Sequence, residues 1–252
     1  MRSAWLGLVL FVSFGLLGGS SAADDWPTHR RDAQRSAQSR ETLQLPLKVL
    51  WKRQLSKPSP AWPPPAEQDY WNRKTNLRAR VTHDRAHGIV STSGKLVVSS
   101  ATDDSVRAFD VSNGKMLWRF VTEGPIRLAP SIYKELVVFA ADDGYVYGVD
   151  LDSGKQRWRT RPAQIGARRI PGNGRIISER PIRSGVLVRE DGTGYFAAGI
   201  FPRYEAFFFS IDVSNGRILD HAPIENSIQG YLEWRDGRVH GPTGRDPRGV
   251  NL

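Results

Sequence analysis

The stretch ADDGYVYGVDLDSGKQRW, residues 141–158, decides the fold. Asp143-Gly144 stands between two runs rich in Val, Tyr and Phe, and both residues tolerate positive φ, so a tight hairpin is expected there. Asp150-x-x-Ser153-Gly154-Lys155 is a second turn, in which Gly154 supplies the left-handed residue. Around these turns the pattern predicts four short strands, at about Ile126–Ile132, Leu136–Ala141, Tyr145–Asp150 and Gln156–Thr160.

The unit is repeated. Residues 91–121 align with 131–161 without a gap, and 12 of the 31 positions are identical, among them Val97/Val137, Asp110/Asp150, Gly114/Gly154 and Trp118/Trp158. A third copy is more diverged: Asp110-Val111-Ser112-Asn113-Gly114 recurs as Asp212-Val213-Ser214-Asn215-Gly216. Its offset of 62 residues from the second copy implies 22 inserted residues, 17 before the second strand and 5 in the next hairpin. Asp220 stands at its Trp position. A period near 40 residues with four strands per unit is the signature of propeller blades. Helical repeats of similar period are excluded by closely spaced Gly turns and by the wealth of Val, Tyr and Phe. The expected fold is therefore all-β, with propeller blades of four antiparallel strands. The ring is incomplete: about three blades (91–123, 124–161 and 182–221) plus fragments, one of them a partial blade at 227–252, with irregular insertions. No Asp-x-x-x-Gly-Lys-x-x-Trp hairpin follows that partial blade, and the sequence reads as a truncated or split frame.

The motif Ala-x-Asp-Gly-x-Val-Tyr-x-Val-Asp-x-x-Ser-Gly-Lys-x-x-Trp, from Ala141 to Trp158, resembles the PQQ-like repeat of quinoprotein alcohol dehydrogenases and BamB-type outer-membrane assembly proteins. Asp25-Trp26-Pro27-x-x-Arg30-x-Asp32-Ala33 and Leu50-Trp51-Lys52 resemble the lead-in of exported bacterial propellers of this class. The resemblance covers about residues 25–245. It implies that Trp118 and Trp158 dock on the neighbouring blade, and that Trp51 does the same on a lone N-terminal strand at 47–55. It speaks to fold, since the same repeat serves enzymes and non-enzymes. PQQ with calcium is implied by this resemblance only, and no cofactor is expected from the residues themselves.

The N-terminus reads as a targeting segment. Arg2 precedes a nearly continuous apolar run from Trp5 to Leu17, and Ser21-Ala22-Ala23 offers a cleavage site. A signal peptide over 1–23 predicts a periplasmic or secreted protein that does not span the membrane after cleavage. The chain has no cysteine, which excludes disulfides, thiolate chemistry and Cys-ligated metal. Its net charge of +10 suits an anionic ligand or a protein partner outside the cytoplasm. The arginines are scattered rather than interleaved with aromatics, and with an export signal nucleic acid is not expected.

Two insertions carry the candidate binding residues. Residues 24–90 hold the lead-in and a Pro-rich excursion with Pro63-Pro64-Pro65, whose sharper reading places Trp71, Asp84 and Arg85 on a ligand rim; its plainer reading is a cover over one face. Residues 161–183 carry six arginines around the turn Gly172-Asn173-Gly174. Arg168, Arg169, Asn173, Arg175 and Arg183 are the candidate site for a carboxylate or phosphate, against a default of solvated loop arginines. No Walker loop, His-Glu-x-x-His or Gly-x-Ser-x-Gly occurs, and the five histidines show no metal-ligand spacing, so neither catalytic residues nor a metal site are expected. The acid pairs Asp103-Asp104 and Asp142-Asp143 are read as turn residues. Two functions follow: a non-catalytic binding or scaffolding propeller, or a quinoprotein dehydrogenase-like protein or its inactive remnant.

Overall fold

The computed structural model describes residues 24–43, 45–55, 87–172, 175–200, 205–243 and 249–251. Three four-stranded antiparallel sheets follow one another along the chain. Blade 1 comprises β1 (Gly88–Thr92), β2 (Lys95–Ser100), β3 (Ser105–Asp110) and β4 (Met116–Val121). Blade 2 comprises β5 (Ser131–Tyr133), β6 (Leu136–Ala140), β7 (Val146–Asp150) and β8 (Gln156–Thr160). A two-stranded insertion, β9 (Arg169–Gly172) with β10 (Arg175–Ser178), precedes blade 3. Blade 3 is β11 (Leu187–Val188), β12 (Thr193–Ala198), β13 (Ala206–Asp212) and β14 (Arg217–Ile224). A three-stranded sheet, β15 (Glu233–Arg235), β16 (Arg238–Pro242) and β17 (Gly249–Asn251), forms the partial fourth blade. The first strand of blade 2 is shorter than expected, because Pro130 lies within that run and has no backbone donor.

Burial follows strand position. The second and third strands of each blade lie between neighbouring sheets, so β7 is buried along its whole length and β2 over its last four residues. Outer strands β4 and β8 bury only their tryptophan. Three apolar clusters lie between consecutive blades, centred on Phe139 and Tyr147, on Phe196 and Phe209, and on Leu187 and Leu232. In the register, Leu136 faces Asp150 in blade 2 and Thr193 faces Asp212 in blade 3, offsets of 57 and 62.

The repeated Trp and Gly form one device. Trp51, Trp118 and Trp158 donate their indole N–H to the carbonyls of Val111 at 2.8 Å, Leu151 at 2.8 Å and Val213 at 3.0 Å. Each acceptor is the residue after the Asp that opens the next blade's turn. Each ring also fills the space beside that turn's glycine: a Cβ on Gly114, Gly154 or Gly216 would meet it at 2.6 Å. These glycines have φ of +70°, +68° and +76°, so the left-handed turn and the open seat call for the same residue. Trp51 occupies the first of these seats, and Arg53 adds a bond to the Gly114 carbonyl at 2.8 Å. The segment carrying it differs from expectation, however. Residues 45–55 form no strand, because among the described residues no partner strand lies beside them, and Leu47, Val49 and Leu50 are exposed.

The lead-in crosses the partial ring. Trp26 pairs with Ser91 of blade 1, the Pro27 carbonyl accepts from Ile132 of blade 2, and the Ala33 carbonyl accepts from Trp234 of the fourth blade. His29 stacks on Tyr231 at 3.5 Å, and the Tyr231 hydroxyl accepts the Ala129 N–H at 2.8 Å. Arg35 knots the crossing, donating to the carbonyls of Leu232, His29 and Asp32.

Candidate functional site

The hairpins between second and third strands and the connections entering each blade meet at one end of the sheets. The insertion β9–β10 lies over this end, its Ser178 N–H bonded to the Asp142 carbonyl at 2.7 Å. Its arginines are brought together, and the chain's own carboxylates meet them. Arg183 grips both oxygens of Asp142, at 3.0 and 2.9 Å, and Arg127 adds a third bond at 2.7 Å. The Asp142 side chain is fully buried. Arg175 reaches blade 1, donating to the Thr102 carbonyl at 2.6 Å and lying 3.4 Å from Asp104. Arg169 pairs with Glu123, and Arg168 lies 3.6 Å from Glu179 with its side chain 68 % exposed. Asn173, Trp71, Asp84 and Arg85 lie outside the described residues.

The acid pairs at the hairpins do more than turn the chain. Asp143 is buried, accepting the Tyr147 hydroxyl at 2.7 Å and the amides of Tyr145 at 3.0 Å and Glu123 at 3.1 Å. Burial pushes its carboxyl up against the opposing pull of those donors, and it drives the Tyr147 phenol far above its ordinary range. Burial also raises Asp104, with Arg175 acting against it. Asp103 is met by Arg107 and by Arg119 at 3.3 Å. Sequence reasoning missed these partners; the one available signal was that Asp103 and Asp143 fall at equivalent positions of the repeat, in a chain whose next insertion is rich in arginine.

The opposite end holds a cavity of about 510 Å³ between the lead-in and the hairpins of blades 2 and 3, with Pro27, Ile132, Val188 and Trp234 among its walls. Arg189 lies over Trp234 at 4.1 Å and pairs with Asp191 at 3.1 Å. The sequence did not mark this end.

A family model described as "Outer membrane protein assembly factor BamB" matches residues 48–241. The chain belongs to this BamB-type PQQ-repeat family. No curated protein sequence matches it. Among solved structures it is similar to quinohemoprotein alcohol dehydrogenase from Comamonas testosteroni, with TM-score 0.57, 15 % identity and 88 % of this chain covered. It spans 36 % of that dehydrogenase's length. It is also similar to the computationally designed Ika4 protein, with TM-score 0.50 and 16 % identity over 68 % of this chain and 92 % of that one. At these identities the likeness shows the fold alone. No helix among the described residues is long and apolar enough to cross a membrane.

Among the described residues, the carboxylates at the insertion end are not arranged to hold a calcium-bound quinone. Calcium takes six to eight oxygen ligands, and among the described residues no group of three or more acids or histidines could hold a metal ion. Both Asp142 oxygens belong to arginines, and Asp143 is committed to its three donors. The repeat tryptophans Trp51, Trp118 and Trp158 are held at blade interfaces by their indole hydrogen bonds.

Proposed function

We propose that this chain is a non-catalytic, exported propeller that acts by binding a protein partner outside the cytoplasm. One observation carries the reading: Asp142 and Asp104 at the insertion end are met by the chain's own arginines, while Arg168 and Arg169 of the same insertion remain partly exposed. The Asp142 pairs are architecture, since a buried carboxylate must be paired. The two partly exposed arginines suit contact with an anionic surface, in keeping with the basic chain. The family model's description as an assembly factor points the same way. The signal-like segment at 1–23 supports export.

The competing reading is a quinone-dependent oxidation. The test is to incubate the purified chain with PQQ and calcium, pass it through gel filtration, and assay ethanol-dependent dye reduction. Loss of the quinone on the column and no dye reduction are expected. Stoichiometric retained quinone with ethanol-dependent turnover would overturn the proposal.

A further inference from the structure

We propose that Arg159, Arg161 and Arg169 form a docking site for the carboxylates of an acidic peptide segment on a partner protein. The inference rests on the binding reading above and names the chemistry of its contact. Arg159 and Arg161 both lie over the Tyr145 ring, each guanidinium 5.0 Å from its centroid. Glu123 joins Arg159, at 3.7 Å, to Arg169. Two guanidiniums thus share one carboxylate, and Arg161 has no carboxylate partner among the described residues. Arg159 and Arg161 meet on one ring, and Arg159 and Arg169 on one carboxylate; like charges gathered in this way repel, and an added anion relieves the repulsion.

The frame is built rather than incidental. Buried Asp143 accepts the backbone N–H groups of both Glu123 and Tyr145, so one hidden carboxylate positions the acid and the ring that organise the arginines. Glu123 is 55 % exposed, and an ion pair so exposed is weak and readily exchanged. Its carboxylate shows which chemistry the cluster accepts. An incoming Asp or Glu side chain displaces Glu123 from Arg169 and gives Arg161 a partner, with guanidinium forks suited to bidentate contact. The cluster draws on β8, on the connection after β4 and on the insertion, so consecutive carboxylates of one extended peptide can engage different arginines.

The test is fluorescence anisotropy of fluorescein-labelled hexaglutamate with the full chain at about 50 mM salt, where screening is modest. Arg161→Ala is expected to weaken binding about tenfold, the loss of one charge-assisted contact, with circular dichroism unchanged. Glu123→Gln, which removes the internal competitor, is expected to tighten it severalfold. Arg157→Ala removes one charge at a residue paired instead with Asp150 and is expected to change little. Equal weakening by Arg161→Ala and Arg157→Ala would reduce the effect to net charge and overturn the proposal. So would hexaglutamate that does not bind, or a heparin hexasaccharide that binds where hexaglutamate does not. In those outcomes the quinone assay still decides the broader reading by itself.

Discussion

Gly154 is constrained twice, by a φ of +68° and by the Trp118 ring 2.6 Å from where a Cβ would stand. Gly94 shares the conformation, with φ +71°, but faces open space. Gly94→Ala should therefore cost only the left-handed strain, about 1 kcal/mol. Gly154→Ala must also expel the indole and should cost about 2–4 kcal/mol. Urea midpoints for the two variants measure the difference, and equal losses would contradict the seat. His29 gives a second residue-scale expectation. Burial, aided by Arg35 and Arg30, pushes its imidazole down to about 4. The unfolded chain takes up this proton near pH 6.5 and the folded one near 4, so the contribution of His29 falls as pH drops between these values. Asp104 and Asp143, raised by burial, act in the opposite sense. His29→Phe keeps a ring on Tyr231 without the titration, so its melting temperature should depend less steeply on pH from 6.5 to 4 than that of the parent. An identical slope would show that His29 does not titrate as described.

At the scale of elements, the insertion β9–β10 is a clasp whose arginines have unequal duties. Arg183 is 13 % exposed and bound to a fully buried Asp142. Removing one partner of such a pair leaves a buried charge, and Arg183→Ala should cost about 3 kcal/mol even with Arg127 still in place. Arg168→Ala, at an exposed pair, should stay within about 1 kcal/mol. Denaturant titration of both separates a structural clasp from a solvated loop, and equal effects would contradict the assignment. The repeat made the strands legible, because Asp-x-x-x-Gly and Trp recur at fixed spacing and each local signal agreed with the period. The insertion arginines were legible as a group, but their partners were not. Arg175 meets a carbonyl 73 residues away in another blade, and nothing local encodes such a pairing. The expected strand around Trp51 failed for a similar reason: the docking residue is local information, whereas a strand needs a neighbour to pair with.

For the whole molecule, the blades are stacked sheets whose order is enforced at three seats and tied across by the lead-in. Trp26, Pro27 and Ala33 bond to blades 1, 2 and 4 in turn. That crossing was not legible, since the motif 25–33 marks a family without showing what it touches. The candidate site depends on this stacking, because its arginines and carboxylates come from different blades and from the insertion between them. The seats can be read directly by indole N–H exchange in a ¹⁵N-tryptophan-labelled sample. Trp118 and Trp158 should exchange slowly and together, as buried donors to Leu151 and Val213, and Trp51 faster on its exposed segment. Fast exchange at Trp118 or Trp158 in the folded protein would mean that the blades are not joined as described, and the site built across them would fall with that joint.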